Sequence, residues 1–348
     1  MPISTKYRQK AVFLLTIAVM LVNCLTACSF SPSSAGQNTA EPLQRSTLLL
    51  DTVVTVTLYG GGDEALIEEC FDLCRRYEKL FSRTDPESEL YALNQAGSME
   101  VSPELLSLLQ TALDYCALSG GAFDITLGGV SELYGFSSDS PRVPEAEELA
   151  EALRHVGYEK LRIEGSTVTL TDPEAVIDLG AIAKGYIADR LAEFLLENGQ
   201  ESATIDLGGN ILCVGSKPGG SAFRIGIQCP FQERSETIDV VSVRDRSVVT
   251  SGIYERSFES GGVLYHHILD PATGLPCQND LLGVSIISRN SVDGDALSTV
   301  CFALGLEEGL ALIDSLEDTY ALFIAGDYQL HYSQGFEEAL KETEGKTS

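Results

Sequence analysis

Two periodicities divide the chain. Apolar and polar positions alternate through "STLLLDTVVTVTLYG" (46–60), where β-branched residues dominate, and the glycines at 60–62 end the run. That pattern predicts one strand with a buried face. Helical spacing takes over behind Asp63, with Leu66, Ile67, Cys70, Phe71, Cys74, Tyr77 and Leu80 on one face and Asp63 as the N-cap. A polar loop, "FSRTDPESELYALNQ" (81–95), enters a short helix, Pro103 opens another, and "GGAFDITLGG" (120–129) is a glycine-bounded segment.

An acidic helix after 144 leads into "YEKLRIEGSTVTLTDPEAVID", which reads as a hairpin followed by a buried strand delivering Asp178. "LGAIAKGYIADRLAEFLLENG" (179–199) reads as a long helix stopped by Gly199. Strands follow in "SATIDLGGNILCVG", "AFRIGIQ", "TIDVVSV", "SVVTSG", "YERSFE", "VLYHHILD" and "LGVSIIS", with "PGG" (218–220) and "SGG" (260–262) as hairpin turns. Helices at 295–304 and 306–316 precede two closing strands, "YALFIAG" and "QLHYS". There is no internal repeat. Long helices among many hairpins predict an α+β fold of mostly antiparallel sheets with packed helices.

The N-terminus departs from this pattern. Lys6, Arg8 and Lys10 precede the short apolar run "AVFLLTIAVMLV", and "LTAC" ends at Cys28. This is the layout of a signal peptide over 1–27, and the run is short against the ~20 residues that span a bilayer. "LTAC" resembles a bacterial lipobox, which implies lipidation of Cys28 and an extracytoplasmic protein anchored to the cell membrane by its N-terminal lipid. Residues 28–46 then read as a flexible tether and 47–343 as the folded domain.

The chain has 23 Lys+Arg against 51 Asp+Glu, and loss of the leader removes three of the basic residues. So acidic a surface argues against nucleic acid as a partner, and an anionic ligand needs a local cation. Seven cysteines beyond Cys24 and Cys28 are scattered in apolar contexts without a CxxC, and read as buried thiols. HExxH, GxSxG and GxxxxGK[ST] are all absent, and there are only four histidines. Any metal here is expected to be hard and held by oxygen.

Three stretches carry candidate chemistry. In "VDGDALSTVCFALG" (292–305), Asp295, Ser298 and Thr299 stand at i, i+3 and i+4 on one helical face, a carboxylate and two hydroxyls suited to a hard cation. Asp295 as N-cap of its own helix is the competing explanation. In "VIDLGAIAKGYIAD" (176–189) a tight turn at Gly180 presents backbone groups beside Asp178 and Lys184. In "YHHILDPATGLP" (265–276) only one of His266 and His267 can face a given site, because neighbours in a strand point to opposite sides. Asp206, Asn210, Thr250 and Ser251 lie at further glycine turns.

Taken in order, "GGAFDIT", "VIDLGAIAKGYIAD", "ATIDLGGN", "TSGIYER", "HILDPATGLP" and "DGDALST" resemble the ApbE family of FAD:protein FMN transferases, over about residues 47–330. The resemblance implies a two-lobed single catalytic unit. It also implies Mg²⁺-dependent transfer of the FMN half of FAD, the substrate, to a Thr or Ser hydroxyl of an acceptor protein, with release of AMP. Carried over by position, Asp295, Thr299 and the Ala181 carbonyl would hold Mg²⁺, with Ser298 adjacent. Ala122, Phe123, Asp124, Asp178 and Lys184 would contact FAD, and Leu269 would line the adenine side. Leu50 and Thr84 stand where the family often has Met and an aromatic residue, on the flavin side. His267 is the expected general base and Asp270 the second candidate. A Mg²⁺-dependent FAD pyrophosphatase, with water in place of the hydroxyl, and a non-catalytic flavin-binding lipoprotein are the rival readings.

Overall fold

In a computed structural model of the chain, the described residues are 41–340. The expected signal peptide, Cys28 and the tether as far as residue 40 lie outside them. The alternation read as one strand is a hairpin of β1 (Leu43–Leu49) and β2 (Thr52–Leu58). The chain reverses at Leu50 and Asp51, each with φ of 55°, the left-handed pair that a two-residue hairpin favours. Period-two alternation runs on through such a turn, and no glycine marks it. β1 also starts inside the segment read as tether.

Helix α1 (Glu64–Phe81) begins where Asp63 accepts from the Ala65 N–H, and it buries Ile67, Cys70, Phe71, Cys74 and Tyr77 as the spacing predicts. α2 (Glu89–Ala96) and α3 (Pro103–Leu118) start at the Ser88 and Ser102 caps. β3 (Ser98–Glu100) lies between them. α4 (Gly128–Tyr134) and α5 (Ala146–Leu153) precede the hairpin of β4 (Leu161–Glu164) and β5 (Thr167–Leu170), and β5 also pairs with β3.

The segment carrying Asp178 is extended and buried at Ala175, Ile177 and Leu179, but it is not a sheet strand. It makes one parallel bridge, Leu127 to Val176, before Asp178 turns the chain by accepting from the Gly180 N–H at 2.8 Å. α6 (Ala183–Glu197) therefore starts four residues later than its apolar pattern.

β6 (Ser202–Leu207) and β7 (Asn210–Gly215) form a hairpin, as do β8 (Phe223–Gln228) and β9 (Thr237–Val243). "PGG" joins β7 to β8, which do not pair, so it is a turn between layers and not a hairpin turn. β10 (Arg246–Gly252) is followed by the hairpin of β11 (Ser257–Ser260) and β12 (Val263–His266), closed by Gly261 and Gly262. β13 (Leu281–Ser288), α7 (Ser291–Leu304), α8 (Leu306–Asp314), β14 (Tyr320–Ala325), β15 (Leu330–Tyr332) and α9 (Phe336–Leu340) complete the described chain.

One eight-stranded sheet, in the order β1-β2-β6-β7-β10-β13-β14-β15 and antiparallel at every step, organises the molecule. β13 shows why its sequence is a continuous apolar run. Val284 and Ile286 pack with Leu297, Cys301 and Phe302 of α7, while Ile287 packs with Phe223, Val241 and Phe336 in the opposite layer. A strand covered on both faces has no polar side to show. The largest core cluster unites α1, α3 and α6 with β2, β5 and β6. The seven cysteines within 41–340 are free and six are buried. Burial pushes Cys70, Cys116 and Cys213 up to about 12, which keeps them unreactive. Among the described residues no helix is long and apolar enough to cross a membrane.

Candidate functional site

The site grows from the crossing of α6 and α7. α7 begins at Ser291 behind Asn290, so Asp295 stands in its second turn and does not cap it. Instead its Oδ2 accepts at 2.8 Å from the N–H of Gly185, in the first turn of α6. Burial pushes the Asp295 carboxyl up, against the opposing pull of the Lys184 ammonium, the Gly185 N–H and the Asn210 amide. One turn on, Ser298 donates to the Asp295 carbonyl at 2.9 Å. Ser251, at the end of β10, brings its hydroxyl within 2.8 Å of Ser298 Oγ and 3.3 Å of Thr299 Oγ1. The predicted face is therefore real, and Ser251 adds a hydroxyl to it. Ala181 lies half-buried in the turn before α6.

Among the described residues, no group of three or more His, Cys, Asp or Glu is placed to hold a metal. The donors at the crossing are one carboxylate and several neutral oxygens. That set suits a hard cation shared with an anionic ligand rather than one held by protein alone.

Basic residues gather beside it. Lys184, the second residue of α6, acts electrostatically on Asp295, Glu255 and His267. Arg256 acts on Glu255 and His267, and Arg234 on Glu255 and Asp206. Burial pushes the Glu255 carboxyl up and these three cations pull it back. In a chain with so large an acidic excess, three cations around one buried carboxylate form a local basic pocket suited to a phosphate group.

His267 follows β12. Its backbone N–H donates to the Arg256 carbonyl at 3.1 Å, and its Nδ1 lies 3.3 Å from the same oxygen. That contact favours a proton on Nδ1 and leaves Nε2 as the basic nitrogen. Burial and the nearby Arg256 hold the imidazole down at about 3. His266 faces the other way, buried against Phe302 with ring centroids 5.8 Å apart, as strand alternation requires. Both Asp270 oxygens are engaged in their own turn, accepting from the Ala272 N–H and the Thr273 hydroxyl. Leu269 is buried with Val130 and Tyr134.

The remaining predicted contacts divide into two neighbourhoods. Asp178 Oδ2 accepts from Arg83 at 3.1 Å, and the Asp178 N–H donates to the Ile125 carbonyl at 2.7 Å, so "GGAFDIT" and "VIDLG" are adjacent. Thr84 is exposed next to Arg83. Within that loop Ala122 is half-buried and Phe123 buried. Asp124 is turned inward, accepting from the Thr126 N–H and hydroxyl and from the Tyr158 N–H, while burial raises its carboxyl. Leu50 sits apart at the β1–β2 turn, its N–H donating to Glu78 at 3.0 Å.

Arg83, Asp189, Arg234, Glu255 and Arg256 were not anticipated. Glu255 and Arg256 belong to "TSGIYER" and Asp189 closes "VIDLGAIAKGYIAD", so position within those motifs was the available signal. Arg83 and Arg234 lie in polar loops without one.

Residues 50–324 match the model of the ApbE family. A FAD:protein FMN transferase of Treponema pallidum is 38% identical over 331 residues, covering 89% of this chain and 91% of that one. One from Klebsiella pneumoniae is 36% identical, covering 80% and 88%. Among solved structures, the flavin transferase ApbE from Vibrio cholerae superposes with a TM-score of 0.77 at 29% identity, over 86% of this chain and 99% of its own. The ApbE protein of Thermotoga maritima gives 0.79 at 31% identity, over 87% and 100%.

Proposed function

The chain belongs to the ApbE family, and from this we propose that it transfers the FMN half of FAD to a Thr or Ser hydroxyl of an acceptor protein and releases AMP. In that reaction the acceptor oxygen attacks the phosphorus on the riboflavin side. The P–O bond of the pyrophosphate breaks, the electron pair leaves with AMP, and the hydroxyl proton passes to a base. The observation that carries the reading is the convergence of Asp295, Ser298, Thr299 and Ser251 beside Lys184, in so acidic a chain.

Asp295, Thr299 and the Ala181 carbonyl would hold Mg²⁺, with Ser298 and Ser251 steadying Thr299. Such an ion would screen the pyrophosphate and stabilise charge developing on the departing AMP. Lys184, Arg234 and Arg256 would orient the phosphates. His267, held neutral, offers Nε2 to the acceptor proton. Asp178 and Arg83 would border the FAD cleft.

FAD labelled in each half tests the reaction. Flavin on the acceptor and adenine in AMP, at one to one, is the expected result. Free FMN with no flavin on protein would replace transfer with pyrophosphatase activity, and intact bound FAD would leave only a binding lipoprotein. The site is proposed to work outside the cytoplasm, tethered by lipid on Cys28. Cys28→Ser should then lose a palmitate-analogue label that the natural chain carries, and equal labelling would remove Cys28 as the anchor.

A further inference from the structure

Neither α6 nor α7 is capped by its own N-cap side chain, at Ile182 or Asn290, although α1, α2 and α3 all are. The two helices exchange caps. Asp295 of α7 accepts from the Gly185 N–H in the first turn of α6. Asp189 of α6 accepts from the Ser291 N–H at 2.7 Å on Oδ1 and from the Val292 N–H at 2.9 Å on Oδ2, the first two residues of α7. Each acceptor lies four residues beyond the capped position of its own helix. Both helices also press together without a side chain between them: a β-carbon at Gly185 would stand 2.3 Å from the Ser291 carbonyl oxygen.

We propose that Asp189 is a positioning residue of the site, fixing the start of α7 so that Asp295, Ser298 and Thr299 meet Ser251 and the first turn of α6. A helix start carries free N–H groups that anchor it only where an acceptor is fixed. Here the acceptor belongs to the helix that carries Lys184, so one carboxylate couples the two halves of the donor set. Ser291 adds to the anchor, donating to Asn210 at 2.7 Å and accepting from Ser247 at 2.9 Å. Asp189 itself touches no predicted ligand, and its effect passes through the backbone of α7.

The proposal rests on the reading of Asp295 and Thr299 as Mg²⁺ ligands, and its test separates the two. Thermal unfolding of the full chain without FAD is followed across a MgCl₂ series, with KCl at matched ionic strength as control. Wild type is expected to gain stability with Mg²⁺. Asp189→Asn should need roughly tenfold more Mg²⁺ for the same gain, and Asp189→Ala more still. Ser88→Ala removes a comparable cap, on the Tyr91 N–H at the start of α2, and should lower Tm without moving the Mg²⁺ dependence. Equal Mg²⁺ dependence in Asp189→Asn and wild type overturns the positioning role. A shift in Ser88→Ala as large as that in Asp189→Asn overturns it too, since general loosening would then suffice. Absence of any Mg²⁺ effect in wild type overturns the metal reading and this proposal with it.

Discussion

The Gly185 N–H donates to Asp295 Oδ2 at 2.8 Å, across a helix crossing with no room for a β-carbon at 185. Gly185→Ala should push α6 and α7 apart. Overpacking costs typically ~1–3 kcal/mol, and a clash with backbone rather than with a movable side chain belongs at the upper end. Calorimetry should show Tm lowered by several degrees, together with loss of FAD cleavage. An unchanged Tm would mean that the crossing relaxes freely.

The cap and ligand roles of Asp295 separate by substitution. Asp295→Asn keeps an oxygen for the Gly185 N–H and removes the charge, so it should fold with nearly the wild-type Tm. Asp295→Ala should lose the cap as well, about 1 kcal/mol. Both should lose FAD cleavage by at least ~100-fold, read by release of AMP. Full activity in Asp295→Asn would reduce Asp295 to a structural acceptor.

His267 should not titrate near neutrality. Burial and the charges of Arg256 and Lys184 hold it at about 3, against an ordinary ~6.5. A neutral imidazole is then available across pH 5–8, and the imidazole-like rise in rate expected of a free histidine disappears. The sign for stability follows from the lowered value: stability rises with pH from about 3 to ~6.5 and is complete above that. NMR of the ring protons, assigned with His267→Ala, checks it, and an inflection near 6.5 would contradict it. The same variant should slow transfer by ~10²–10⁴-fold with little change in FAD affinity.

Asp189 carries the opposite signature. Burial raises its carboxyl to about 6, while the Ser291 and Val292 N–H groups and Arg190 oppose the rise and Asp293 adds to it. Tyr115, whose hydroxyl donates to Asp293, also faces it. An acid with a raised folded value contributes most below its unfolded ~3.9 and loses that contribution as pH rises through about 6. Relative to Asp189→Asn, wild type should lose roughly 2–3 kcal/mol between pH 4 and 7. Parallel stability curves in urea would remove Asp189 as the source.

Much of the architecture was written in local pattern. Asp63, Ser88 and Ser102 announced three helices because each cap is close in sequence to the N–H it accepts from. The start of α7 was not legible in the same way. "SRNSVDGDALST" offers Ser, Asn and Asp at several successive positions, and Gly294 looks like a break. What selects Ser291 is Asp189, 102 residues away, which no local window contains. The turn at Leu50 and Asp51 was hidden for a related reason, since its left-handed residues are held by pairing of β1 with β2 and by Glu78. At the site, the Asp295, Ser298 and Thr299 face was visible from spacing. The basic pocket was not, because Lys184, Arg234 and Arg256 come from three separate segments.

The exchanged caps also govern when the chain first owns a site. Gly185 and Asp295 are 110 residues apart, and strands β6 to β13 are laid down between them. Until α7 arrives, the first turn of α6 keeps unpaired N–H groups and frays. Until α6 is docked, α7 has nothing to fix its start. The two turns must close, and open, as one cooperative unit. Amide hydrogens at 185, 291 and 292 should then exchange through a single opening event. A nascent or truncated chain lacking α7 would present FAD with no partial version of the site.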